Sequence, residues 1–198
     1  MSLAFQVLSG AAVESVVPDL ARLRVTVFRD WPYLYEGSLD YERKYLAKYV
    51  KLPRATIVIA KDGDSIVGAS TALPMRDSEA ELQKPFVDAG IDPADVYYYG
   101  ESVLLAQYRG QGAGVRFFVE REKRARELGF KLATFCGVVR PKDHPARPAD
   151  YVPLDAFWTK RGFTPRPDLT ASFEWRDLGD AAPTAKPMAF WTKDLTAS

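Results

Sequence analysis

Polar and apolar positions change period several times along the chain, and each change marks an element. Ala4 to Leu8 alternates and reads as a short first strand closed by Ser9-Gly10. Leu20, Leu23, Val27 and Phe28 then fall at i, i+3, i+7 and i+8, the apolar stripe of a helix that Pro18 opens and Pro32 ends. The loop behind it is aromatic, with Trp31, Tyr33 and Tyr35. Ser38 suits the cap of a second helix, where Tyr41, Tyr45 and Tyr49 recur every four residues and Glu42, Arg43, Lys44 and Lys48 take the wet side. That tyrosine stripe is a seam or a pocket wall.

Ala55 to Ala60 and Ile66 to Leu73 flank Asp62-Gly63, a dipeptide suited to tight turns, and predict a hairpin. Arg76 to Asp95 is polar around an amphipathic patch of Leu82, Phe86 and Val87, which predicts a helix between loops. Val96 to Leu105 reads as a long strand interrupted at Gly100, the place for a bulge or a close backbone approach. Val115, Phe118, Val119, Ala125 and Leu128 predict a helix that starts among glycines and stops at Gly129. Leu132 to Val139 is apolar enough for a strand covered on both faces, so a β-α-β unit is expected here. A Pro- and Arg-rich loop, Arg140 to Asp150, leads to a short helix around Leu154 to Arg161, and Phe163 onward and Pro187 to Leu195 supply the last strands.

Composition narrows this picture without redirecting it. Hydrophobic residues at 47% and charged residues at 27% describe a soluble globular chain, and 198 residues suit one domain, 1–198. Lys plus Arg number 27 against 26 Asp plus Glu, so nothing points to nucleic acid and any anion site is local. One cysteine, Cys136, rules out an intramolecular disulfide framework; with the lone His144 it cannot build a zinc cluster, so no metal is expected. A cytoplasmic setting fits, and no run approaches the roughly 20 apolar residues that span a bilayer.

The chemistry gathers at Gln107-Tyr108-Arg109-Gly110-Gln111-Gly112-Ala113-Gly114, which follows the strand residues Val103, Leu104 and Leu105 and opens a helix. A glycine turn there collects free N–H groups at a helix N-terminus, where phosphate is attracted, and Arg109 can add a charged contact. A nucleotide-triphosphate loop would need Gly-Lys-Ser/Thr, but the turn ends Ala113-Gly114-Val115. The dinucleotide fingerprint needs another glycine spacing. What matches is Q/R-x-x-G-x-G/A, at Gln107, Gly110 and Gly112.

With this motif, and with Lys160-Arg161-Gly162-Phe163 after the last helix, the chain resembles the GCN5-related N-acetyltransferase (GNAT) superfamily. The resemblance covers nearly the whole order of elements. It implies an α/β (α+β) fold with a mixed central sheet of about six to seven strands, a splayed central pair and about four to five flanking helices. It also implies acetyl-CoA or another acyl-CoA as co-substrate, held by Val103 to Leu105 along the pantetheine arm and by Arg109 to Gly114 at the pyrophosphate. The Leu104 N–H would stabilise the oxyanion. The acceptor would be a primary amine on a small molecule or a protein, and a homodimer is compatible with the family.

One position departs from the family. Trp158 stands with the cofactor-binding residues where these proteins carry an acidic tyrosine, and an indole cannot donate that proton. Tyr151, water or another tyrosine would replace it, and a non-catalytic acyl-CoA sensor or structural module is the alternative reading. Glu101 is either a base acting through water or a salt-bridged edge carboxylate. Trp31, Tyr33 and Tyr35 either enclose the acceptor or cover core. His144 either joins them as a base or is an exposed loop histidine. Cys136 reads as a small buried hydrophobe, and Arg140, Lys142 and Arg147 either attract an acidic acceptor or are merely solvated.

Overall fold

Strand β1 (Ala4–Leu8) pairs antiparallel with β2 (Thr56–Asp62), which forms the expected hairpin with β3 (Ser65–Pro74) across Gly63-Asp64. Gly63 takes φ +56°, a turn conformation that favours glycine. β3 pairs antiparallel with β4 (Val96–Leu104), and β4 runs parallel to β5 (Leu132–Val138). Strands β6 (Thr164–Trp175) and β7 (Thr184–Asp194) complete one seven-stranded mixed sheet, in the order β1-β2-β3-β4-β5-β7-β6. Residues 3–196 are described in this computed structural model, so the ends of the expected 1–198 span lie outside them.

Five helices pack on this sheet. α1 (Val17–Val27) follows a 3-10 helix at Gly10–Val16 that the sequence pattern did not reveal. α2 (Leu39–Val50) starts where expected, its Tyr41 N–H donating to Ser38 Oγ at 3.3 Å. α3 (Ala80–Asp88) buries Leu82 and Phe86 and leaves Val87 exposed. α4 (Ala113–Glu127) links β4 to β5 in the expected β-α-β unit. It ends in a Schellman motif, with Phe130 N–H on Ala125 O at 3.0 Å and Gly129 at φ +79°. α5 (Asp155–Thr159) is short.

Two expected faces are out of phase. Val115 and Val119 of α4 are exposed, and the buried stripe is Phe117, Phe118, Arg121 and Ala125. Phe118 and Ala125 of the expected stripe are buried, and the charged Arg121 shares their side. On α2, Glu42 is fully buried rather than wet, while Tyr41 at the head of the tyrosine stripe is 59% exposed. Glu42, Leu46 and Tyr49 at i, i+4 and i+7 form the inward line.

The sheet divides the core. Tyr98 belongs to the cluster under α1, α2 and α3, while Tyr97 and Tyr99 belong to the cluster that includes Phe118, Phe163 and Trp191 under α4 and α5. The three tyrosines therefore alternate faces, as a strand requires.

Candidate functional site

Beyond Tyr99 the alternation of β4 is interrupted. Ser70 pairs with Ser102 and Ala72 with Tyr99, so Thr71 faces both Gly100 and Glu101 across a β-bulge. A Cβ on Gly100 would come within 2.5 Å of Thr71 Oγ1, which explains the glycine. Thr71 Oγ1 accepts from the Glu101 N–H at 3.2 Å and from the Tyr49 hydroxyl at 3.3 Å. The extra residue shifts the phase, placing Glu101 on the same face as Tyr98 and returning Val103 to Tyr98's cluster.

β4 and β5 pair only from Val96 with Leu132 to Tyr98 with Thr134 and then part. This is the splayed pair expected from the resemblance. The Leu105 N–H points to β3, donating to Val67 O at 3.0 Å. Strand alternation therefore turns the Leu104 N–H the other way, into the gap toward β5.

The gap leads to the glycine turn. Gly110 (φ +76°) and Gly112 (φ +85°) are left-handed, and a Cβ on either would meet no atom within 4 Å. The open side of the turn is thus bare backbone. The first helical bond of α4 joins Arg116 N–H to Gly112 O at 3.1 Å, which leaves the N–H groups of Ala113, Gly114 and Val115 without partners inside the helix. Tyr108 holds the turn by donating to Asp62 Oδ2 at 2.8 Å, and Gln111 Nε2 donates to Gln107 O at 3.1 Å. Arg109 is exposed, 3.4 Å from Asp30. Gly114 has another role: a Cβ there would lie 3.3 Å from Phe157 of α5, so it permits close packing of the two helices.

On the Tyr98 face lies a cavity of about 500 Å³. Its walls include Phe28, Tyr33, Tyr35, Tyr45, Phe173 and Trp175, and Tyr98 and Cys136 line it from β4 and β5. Glu101 also lines it, its side chain 9% exposed and its Oε1 2.6 Å from Arg24 Nη1. This ion pair is close but not aligned as a hydrogen bond. Arg24 Nε contacts Glu42 Oε2, and the guanidinium lies 4.4 Å from the Tyr45 ring. Burial would lower the Arg24 pKa, but Glu101, Tyr45 and Glu42 outweigh it and hold the group well above its usual value.

On the other face of the bulge, Arg121 is buried without a carboxylate partner. Its Nη1 donates to Thr71 O at 3.4 Å and Glu101 O at 3.5 Å. Burial pushes this guanidinium down to about 10, still charged at neutral pH. The two arginines and two glutamates balance one another around β4. Arg24 was not singled out in the sequence and Glu42 was assigned to the wet side, although both fall on the inward phase of their helices.

The remaining candidates fall into separate places. Tyr33 and Tyr35 line the cavity; Trp31 and His144 are not among its lining residues and instead pack against each other with tilted rings, centroids 5.1 Å apart, with Tyr151 edge-on to Trp31 at 5.8 Å. Trp158 lies on the α4/α5 side, 5.0 Å from Phe135 and 5.2 Å from Trp191. A Cβ on Gly137 would come within 3.3 Å of its ring. Burial pushes the Cys136 thiol up to about 11, which leaves it neutral and a poor nucleophile. Arg140 attracts no acceptor, because its donors go to both oxygens of Asp177 (2.6 and 2.9 Å), Pro32 O (2.8 Å) and Tyr33 O (2.7 Å). Among the described residues no helix is long and apolar enough to cross a membrane.

The acetyltransferase (GNAT) family model matches residues 21–163. A search of curated proteins finds no match. Among solved structures, ribosomal-protein-alanine N-acetyltransferase from Brucella melitensis is 15% identical with a TM-score of 0.62, over 96% of this chain and 99% of that one. Salmonella typhimurium yncA, solved with its cofactor acetyl-CoA, is 10% identical with a TM-score of 0.61, over 100% and 96%. PaiA N-acetyltransferase from Thermoplasma acidophilum, in complex with coenzyme A, is 14% identical with a TM-score of 0.54, over 98% and 99%. At these identities the likeness is one of fold.

Proposed function

The chain belongs to the GNAT acetyltransferase family, and from that premise we propose that it transfers an acyl group, acetyl first, from acyl-CoA to a primary amine by direct attack. The observation that carries this reading is the continuity of three features along β4. A bare glycine turn lies at its end, strand alternation turns the Leu104 N–H toward the splayed gap, and a buried carboxylate stands on the bulge beside the cavity.

In this reading the pyrophosphate of CoA rests on the N–H groups of Arg109 to Gly114 and the pantetheine arm runs beside Val103 to Leu105. The amine enters through the cavity. Its nitrogen attacks the thioester carbon, a C–N bond forms, and the Leu104 N–H donates to the resulting oxyanion. Glu101 takes the amine proton, directly or through water, as the C–S bond breaks. Tyr98 is our candidate for protonating the departing thiolate. Its hydroxyl reaches from β4 to Cys136 Sγ on β5 at 3.4 Å, where the strands part. Tyr151 remains the alternative donor. No metal takes part in this scheme, and a cytoplasmic location and a homodimer belong to it as family expectations.

One observation favours a non-catalytic acyl-CoA sensor instead: Trp158 fills the family's tyrosine position with a packed indole. One experiment separates the readings. Purified protein is heated with and without acetyl-CoA, and free thiol is then followed against a panel of amines. Stabilisation with thiol release supports the transferase. Stabilisation with no release across the panel supports the sensor, and no stabilisation at millimolar acetyl-CoA sinks both.

A further inference from the structure

We infer that the acceptor is a small dication or polycation, an aliphatic amine carrying at least one further cationic group. The inference rests on the transferase reading and follows from the charge of the cavity. Four carboxylates line it, from Glu79, Glu81, Glu101 and Glu174, and the one cation among its lining residues is Arg24. Arg24 is occupied by Glu101 and by Glu42 behind the wall. Lys48 occupies Glu79 at 2.5 Å. Among the described residues, the side chains of Glu81 and Glu174 find no ion-pair or hydrogen-bond partner. Counting Lys48 and Glu42 with the lining residues leaves the net charge at −3.

The cations nearest the Trp175 wall do not relieve this excess. Arg140 is spent on Asp177 and two backbone carbonyls, and Lys186 donates to Trp175 O and Thr184 O, both at 2.9 Å. The walls between the carboxylates are aromatic, a surface that accommodates methylene groups and attracts ammonium ions over its ring faces.

The reaction gives a second charge its use. The attacking nitrogen must lose its proton before it reaches the thioester, so a simple monoamine brings no positive charge to Glu81 and Glu174 at that moment. A second ammonium group can face them while the first nitrogen reacts beside Glu101. An acceptor with its own carboxylate would meet the same field as repulsion.

The test compares diaminobutane, butylamine and aminobutanoate of equal chain length, by thiol release from acetyl-CoA and by calorimetry on CoA-saturated protein. The inference expects diaminobutane to exceed butylamine at least about tenfold in kcat/KM, with aminobutanoate poorest. It also expects the Glu81→Gln, Glu174→Gln double variant to reduce the diamine-to-monoamine ratio about tenfold. Both positions are exposed, so folding is not at stake. Equal use of butylamine, preference for aminobutanoate, or an unchanged ratio in the double variant would overturn it. Calorimetric preference for the diamine without any thiol release would support the cavity's selectivity for a dication and overturn the transferase reading, and with it the diamine's role as acceptor.

Discussion

Arg24 Nη1 stands 2.6 Å from Glu101 Oε1 while its Nε contacts Glu42, so one guanidinium ties α1 to α2 and to the bulge of β4. Replacing it with methionine keeps much of the packing on Phe28 and Tyr45 but leaves two buried carboxylates without a cation. Breaking a buried pair on one side costs about 3–5 kcal/mol. Urea unfolding of Arg24→Met is therefore expected to show a loss in that range. A change under about 1 kcal/mol would mean that Glu42 and Glu101 are solvated in the native protein.

Glu101 and Tyr98 are separable by kinetics. Glu101→Gln keeps the shape of the bulge and removes the proton acceptor, so kcat is expected to fall about a hundredfold with little change in KM for acetyl-CoA. Tyr98→Phe is expected to lower kcat about tenfold or more, whereas Tyr151→Phe, in the Trp31 cluster, leaves it near the parent value. A larger loss in Tyr151→Phe would move the thiolate's proton source to that cluster.

The glycine turn offers a graded test. Gly112 is at φ +85° with open space before its Cβ position, so a side chain there meets strain and occupies the place proposed for the pyrophosphate. Gly112→Ala is expected to weaken acetyl-CoA binding, read as a smaller thermal shift, and Gly112→Val to abolish it. Unaltered affinity in the valine variant would detach the phosphate from this turn.

How much of this was legible in the sequence depended on whether the signal was local. The hairpin at Gly63, the Ser38 cap, the Gly100 bulge and the stop at Gly129 each follow from a residue whose backbone preference acts within a few positions, and each stands where expected. Glu42 was placed on a wet face because charge was weighed above helical phase, and Arg121 was not singled out at all. Their burial depends on partners that lie far away in the chain, Glu42 on Arg24 and Arg121 on the Thr71 and Glu101 carbonyls. The role of Arg140 is likewise set by Asp177, a residue of the loop between β6 and β7.

That loop contact makes the acceptor side sensitive to acid. Burial disfavours the charged form of Asp177, but the hydrogen bonds and charge of Arg140, helped by Lys186, outweigh it and hold the carboxyl below its ordinary range. A carboxyl depressed in the folded state contributes stability above its unfolded value, near 3.9, and loses it as pH falls through the folded value. Asp177→Asn is thus expected to be less stable than the parent by about 3 kcal/mol near neutrality, and the gap is expected to close below about pH 4. Urea midpoints from about pH 6 to about pH 3 measure it, and a gap that stays constant would remove the ion pair from the account. Arg140 also donates to the carbonyls of Pro32 and Tyr33. The same variant should therefore loosen the Tyr33 wall and raise KM for the amine at neutral pH while leaving KM for acetyl-CoA near the parent value.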